Sequence, residues 1–183
     1  ALLKREYSIL DDRGITVSKD RIAQLEEAFE KRTRQLRESQ IKYKEIVENS
    51  NDLITVIQDG KLKFVNTKAL ELTGYKEEEV LDTPFSNFIF PEELTGVEQR
   101  YRNRLEGKGH ADTYPFRLLR KSGEAFWVEE NSKRTLWEGE PAVLAFVRDI
   151  SERKKAEDAL KESEQKYRQL VQSANSIILY LDP

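Results

Sequence analysis

Two stretches of this chain are near copies of each other. LRESQIKYKEIVENSN (36–51) returns as LKESEQKYRQLVQSAN (160–175), with identities at Leu36/Leu160, Glu38/Glu162, Ser39/Ser163, Lys42/Lys166, Tyr43/Tyr167, Val47/Val171 and Asn51/Asn175, all 124 positions apart. A repeat of this period leaves room between the copies for one domain of about 100 residues, flanked by matching charged segments. The echo continues past each copy, NDLITVIQDG (51–60) aligning with NSIILYLDP (175–183). The second copy therefore reads as a junction with a further unit, whose first strand would be Ile177 to Asp182.

Both copies have helical patterning. Asp20 to Asn51 contains neither Gly nor Pro, and Ile22, Phe29, Leu36 and Tyr43 recur every seven residues. Leu25 and Ile46 occupy the second seam position, which Arg32 and Ser39 interrupt. The spacing predicts one long helix with an imperfect coiled-coil stripe, and such a stripe needs a partner to bury it. Ile22, Leu25, Phe29, Leu36 and Tyr43 are accordingly the candidate homodimer contacts. After the domain, Ala156, Leu160, Ser163, Tyr167 and Leu170 continue a three-four spacing.

Between the helices the pattern changes to strands and turns. Leu53–Gln58 and Lys61–Val65 flank Asp59-Gly60, a pair suited to the left-handed backbone of a tight hairpin turn. Asn66 is placed to cap a short helix over TKALELT, and Gly74 to end it. EEEVLDT reads as a further helical turn, and Pro91 opens a longer helix that stops at Gly107. Three strands follow, Thr113–Arg120, Ala125–Thr135 and Ala142–Arg148, joined through KSGE and LWEGEP. The order predicts an α+β fold: a five-stranded antiparallel sheet with a helical crossover on one side, flanked by long N- and C-terminal helices.

Composition removes several classes of function. The 31 basic and 34 acidic residues give a net charge of −3, without the positive excess that would make nucleic acid a default partner. There is no cysteine, hence no disulfide, thiolate ligand or cysteinyl cofactor adduct. No apolar run is long enough to span a membrane, and ALLKREYSILDD does not have the form of a signal peptide. Carboxylates alternate with Lys and Arg on the helices as solvated faces do, GKGHAD is not a phosphate-binding loop, and no catalytic or metal-binding constellation is visible.

The ordered set DLITVIQDGKLKFVN, NTKALELTGYKEEEVLDTPFSNFIFPEEL, FRLLRKSGEAFWVE and VRDISERKKAE resembles the PAS sensory domain over roughly residues 41 to 153. The resemblance implies a tail at 1–20, a helical linker at 21–50, a PAS-like domain at 51–150, a connecting helix at 151–174 and the start of a second PAS-like unit at 175–183. It implies a sensory or regulatory module that couples a small ligand or a conformational signal to a downstream domain of the same chain, such as a histidine kinase. The competing reading is a purely structural dimerisation or docking module. Enzymatic activity would lie outside these residues.

Aromatic and aliphatic candidates for a ligand cavity are Phe88, Tyr101, Phe116, Leu118 and Trp127. The family's Asp-Ile-Thr exit triplet corresponds to Asp149, Ile150 and Ser151, with Arg117 or Arg120 as the partner expected for Asp149. Haem-binding relatives take a proximal histidine from the long connecting helix; the sole histidine, His110, lies beyond that helix, so haem does not fit the pattern. A flavin-cysteinyl adduct does not fit either, whereas the ligand itself is left open. The expected setting is cytoplasmic, in a parent protein either soluble or membrane-anchored, with no nucleic-acid or membrane contact by these residues.

Overall fold

The computed structural model describes the backbone of residues 8–10, 16–108 and 113–181, and the side chains of 21–108 and 113–172. His110 lies outside the described residues. The chain divides into two units between Val47 and Glu48.

In the first unit, strands β1 (Ser8–Leu10) and β2 (Thr16–Ser18) pair antiparallel, with Ile9 opposite Val17. Part of the segment expected to be a tail is therefore a two-stranded ribbon. Helix α1 (Lys19–Glu48) follows directly and runs for 30 residues, the length that the absence of Gly and Pro foretold. Leu25, Phe29, Leu36 and Tyr43 are all more than half exposed along it, while Ile22 is partly covered.

The second unit holds the five-stranded sheet. Its strands are β3 (Leu53–Gln58), β4 (Lys61–Val65), β5 (Tyr114–Leu119), β6 (Ala125–Trp137) and β7 (Glu140–Asp149). They lie side by side in the order β4-β3-β7-β6-β5, every neighbour antiparallel. The last strand thus enters the middle of the sheet, which makes β7 the most completely paired element. Asp59 and Gly60 both have positive φ, 52° and 75°, so the β3–β4 turn has the twist that two antiparallel strands require. Glu138 and Gly139 repeat this at φ 52° and 87°. The loop expected over LWEGEP shrinks to two residues, and β6 and β7 extend to Trp137 and Glu140, because that turn keeps the strands in register to their tips.

Helices α2 (Thr67–Thr73), α3 (Glu77–Val80) and α4 (Leu94–Leu105) cross one face of the sheet, with short 3₁₀ turns at Phe85–Phe88 and Pro91–Glu93. Asn66 caps α2 through its side chain and Gly74 ends it at φ 75°. Pro91 opens a 3₁₀ turn before α4 rather than α4 itself. Between helices and sheet lies a core that includes Leu53, Phe116, Phe126, Val128, Ala145 and Val147. Full burial of a side chain as large as Phe stabilises by about 2–3 kcal/mol, and Phe116 and Phe126 are each only 3% exposed.

Helix α5 (Ser151–Leu181) leaves the sheet and continues for 31 residues. This corrects the strand expected from Ile177: residues 177–181 are helical. A helix pairs its backbone groups internally, whereas a strand needs a neighbour, and the sheet order includes none of these residues.

Candidate functional site

The helical cover does not fill the inner face of the sheet. A cavity of about 90 Å³ remains, floored by Leu53, Thr55 and Ile57 of β3 and by Val143, Ala145 and Val147 of β7. The period of two along each strand selects these residues, sending Ile54, Val56 and Leu144 to the other face. Helix α2 contributes Ala69, Leu70 and Thr73, and α4 contributes Val97 and Tyr101. Of the five cavity candidates, the structure brings together Phe88, Tyr101, Phe116 and Leu118. Trp127 is not among them. It lies one step out of phase with Val128 and Glu130 on β6, and on the outer face it sits near the Arg117 guanidinium (5.4 Å) and the Lys154 ammonium (5.7 Å).

The wall also carries groups that the sequence reading passed over. Tyr114 and Glu130 face each other across β5 and β6, and the tyrosine hydroxyl donates to the carboxylate at 3.1 Å. The Tyr114 ring stacks on Phe116 with centroids 5.3 Å apart, and the Arg100 guanidinium lies over the Tyr114 ring, 3.7 Å from its centroid. Burial pushes the Tyr114 hydroxyl far above the ordinary tyrosine range, the Glu130 charge and hydrogen bond push the same way, and Arg100 and Arg104 oppose them. Tyr101 is raised more gently by burial, its oxygen accepting the Gly60 N–H at 3.0 Å.

A hydroxyl that keeps its proton in the folded state favours folding below the unfolded tyrosine pKa and loses that contribution as pH rises. Between the unfolded value, about 10, and the folded one, Tyr114 should lower unfolding stability by about 1.4 kcal/mol per pH unit. Urea denaturation from pH 8 to 11 should show this decline, and Tyr114→Phe should flatten it. An unchanged slope in the variant would remove Tyr114 as its source.

The exit from the sheet is tied to the cavity wall. Asp149 Oδ1 accepts the Ser151 N–H at 2.8 Å, and Asp149 Oδ2 lies 3.8 Å from Arg120 Nη2. Arg120, rather than Arg117, is therefore the partner of Asp149; Arg117 pairs with Glu93 at 3.0 Å. Arg120 also donates through Nη1 to the carbonyl of Leu72 in α2, and its guanidinium lies 4.1 Å from the Phe126 ring centroid. Ile150 is 4% exposed and donates its N–H to the Trp127 carbonyl at 2.9 Å, while Ser151 Oγ accepts the Trp127 N–H at 3.2 Å. The serine hydroxyl thus fastens the start of α5 to β6. Among the described residues no group of His, Cys, Asp and Glu has the arrangement of a metal site, and no helix is long and apolar enough to cross a membrane.

Comparison with known proteins places this architecture. Residues 41–150 match the family of the PAS fold. The chain belongs to the PAS family. Sporulation kinase A of Bacillus subtilis is 28% identical over 130 residues, covering 70% of this chain and 22% of that protein. The sensor histidine kinase TmoS of Ectopseudomonas mendocina is 26% identical over 139 residues, covering 74% of this chain and 14% of that protein. Among solved structures, the PAS domain of an HTR-like protein from Haloarcula marismortui superposes with a TM-score of 0.55 at 31% identity, covering 66% of this chain and 99% of that one. This PAS chain therefore spans less than a quarter of the length of these two kinases. The PAS fold of this chain thus recurs within proteins named as a sporulation kinase and a sensor histidine kinase.

Proposed function

We propose that this PAS module couples the occupancy or packing of its cavity to a downstream signalling domain, such as a histidine kinase, through α5 and a homodimer of the flanking helices. The observation that carries the reading is the Arg120 link. One guanidinium touches α2, whose Leu70 and Thr73 line the cavity, and the carboxylate that sets the first turn of α5. A shift of α2 by a fraction of an ångström changes both contacts together, so two arrangements of the wall have different preferences for the exit helix. The pair is partly exposed, with side chains 25% and 27% accessible, so its role is directional more than stabilising. The echo at an offset of 124 residues supports a parent protein in which such modules follow one another, with α5 as the connection.

The test fuses the chain upstream of a histidine kinase and compares autophosphorylation with and without Asp149→Ala. The expected result is a several-fold change in kinase output with a thermal midpoint within a few degrees of the parent. Parallel loss of folding and output would make Asp149 a stability residue and defeat the coupling role.

A further inference from the structure

The chemistry of the cavity wall narrows what enters it. No Lys, Arg or His lines the cavity among the described residues, and its one carboxylate, Glu130, repels an anion. The hydroxyl donors are largely engaged: Thr73 Oγ1 donates to the Ala69 carbonyl at 2.6 Å, and Tyr114 donates to Glu130 at 3.1 Å. Tyr101 accepts a bond from Gly60 and keeps its own proton, which makes it one weak polar handle. The rest of the surface is Leu, Ile, Val, Phe and Ala, with Thr55 and Tyr75 as two further hydroxyl-bearing residues. A charged ligand placed here would exchange its water for a mostly apolar wall that has a few hydroxyls and no cationic side chain to replace it.

Volume points the same way. A buried water needs about 10–15 Å³ and two to four polar partners. The cavity has about 90 Å³ but offers few such partners, so it is poorly suited to a water cluster. Cavities of about 150 Å³ lined by Leu, Ile and Phe stay dry and admit benzene or xenon. We infer that the ligand of this site is a small, neutral, apolar molecule no larger than benzene, selected by shape and by the exclusion of anions at Glu130. The inference rests on the reading of the cavity as the sensing chamber.

Methyl-resolved NMR of the 183-residue chain, titrated separately with benzene and with benzoate, tests it. Benzene should produce saturable shifts at Leu53, Val143 and Val147, whose side chains line the cavity, and little change at Ile54 and Val56 on the other face. Benzoate at equal concentration should leave the same methyls in place. Ala145→Leu, which puts a larger side chain into the cavity, should weaken the benzene response by about tenfold or more; xenon-pressurised NMR of the unaltered chain provides a second readout that needs no variant to fold. Equal shifts with benzoate, equal shifts on both faces, or no response to benzene and xenon would overturn the assignment. If kinase output still changes in Asp149→Ala while benzene and xenon fail to bind, the ligand class is wrong and the coupling reading stands.

Discussion

Asn66→Ala should cost this PAS domain about 3 kcal/mol and lower its melting temperature by roughly 12 °C. Asn66 is completely buried, yet its side chain makes three hydrogen bonds to backbone. Its Oδ1 accepts the N–H of Ile54 at 2.9 Å and of Ala69 at 3.1 Å, while Nδ2 donates to the Asp52 carbonyl at 3.1 Å. One amide therefore closes the first turn of α2 and holds the entry of β3 beside the exit of β4. Alanine removes the cap and also strands the buried Ile54 N–H, which costs more than a missing bond because no water reaches it. Thermal and urea denaturation of the purified variant measure the loss; a fall below 1 kcal/mol would mean that the backbone finds other partners. Asn66→Asp should also destabilise, since it gives up the donor and buries a carboxylate.

The local half of this network is legible in the sequence. An asparagine followed by TKALELT states a cap, as Asp59-Gly60 states a turn, because the chemistry acts over three or four residues. The bond to Ile54 spans twelve positions and depends on the β3–β4 pairing, which has an irregularity between Val56 and Ile57 that no composition rule supplies. The cavity shows the same division. Phe116 and Leu118 share a face by alternation, but the large apolar residues Phe126 and Trp127 make both phases of β6 plausible as the inward one. The register settles the matter by setting Phe116 opposite Val128 and Tyr114 opposite Glu130. Counting equal steps outward from Ser122 in the KSGE turn would have paired Tyr114 with Glu130. That carboxylate was missed because a single Glu in a strand looks like a solvated residue until the opposite hydroxyl is identified. At the exit, Asp149 was legible from the triplet, whereas the choice of Arg120 over Arg117 follows from strand phase, which turns Arg117 toward Glu93.

Combined Phe29→Glu and Leu36→Glu substitutions should convert a dimer of this chain into a monomer, read as a halving of mass by analytical ultracentrifugation. Helix α1 exposes Leu25 by 61%, Phe29 by 73%, Leu36 by 59% and Tyr43 by 67%. Phe29, Leu36 and Tyr43 fall on the seven-residue spacing and Leu25 on the second seam position, so they form a stripe rather than scattered apolar positions. Removing one such side chain from water is worth about 1.5–3 kcal/mol. In the proposed homodimer a second copy of the stripe would supply that burial in parallel register, each apolar residue meeting its own counterpart. Two glutamates at the centre replace apolar contacts by paired like charges in each dimer, and the charges repel in the same geometry that brought the leucines and phenylalanines together. Retention of the α1 helix by circular dichroism is not required, since a helix without its partner is only marginally stable. The sheet domain should keep its thermal transition, because its core residues lie in the second unit. An unchanged dimer would assign self-association to another surface and leave the α1 stripe without the role proposed for it. The interruption at Arg32 and Ser39 makes a moderate affinity the expected one, because two positions of the second seam contribute no apolar contact.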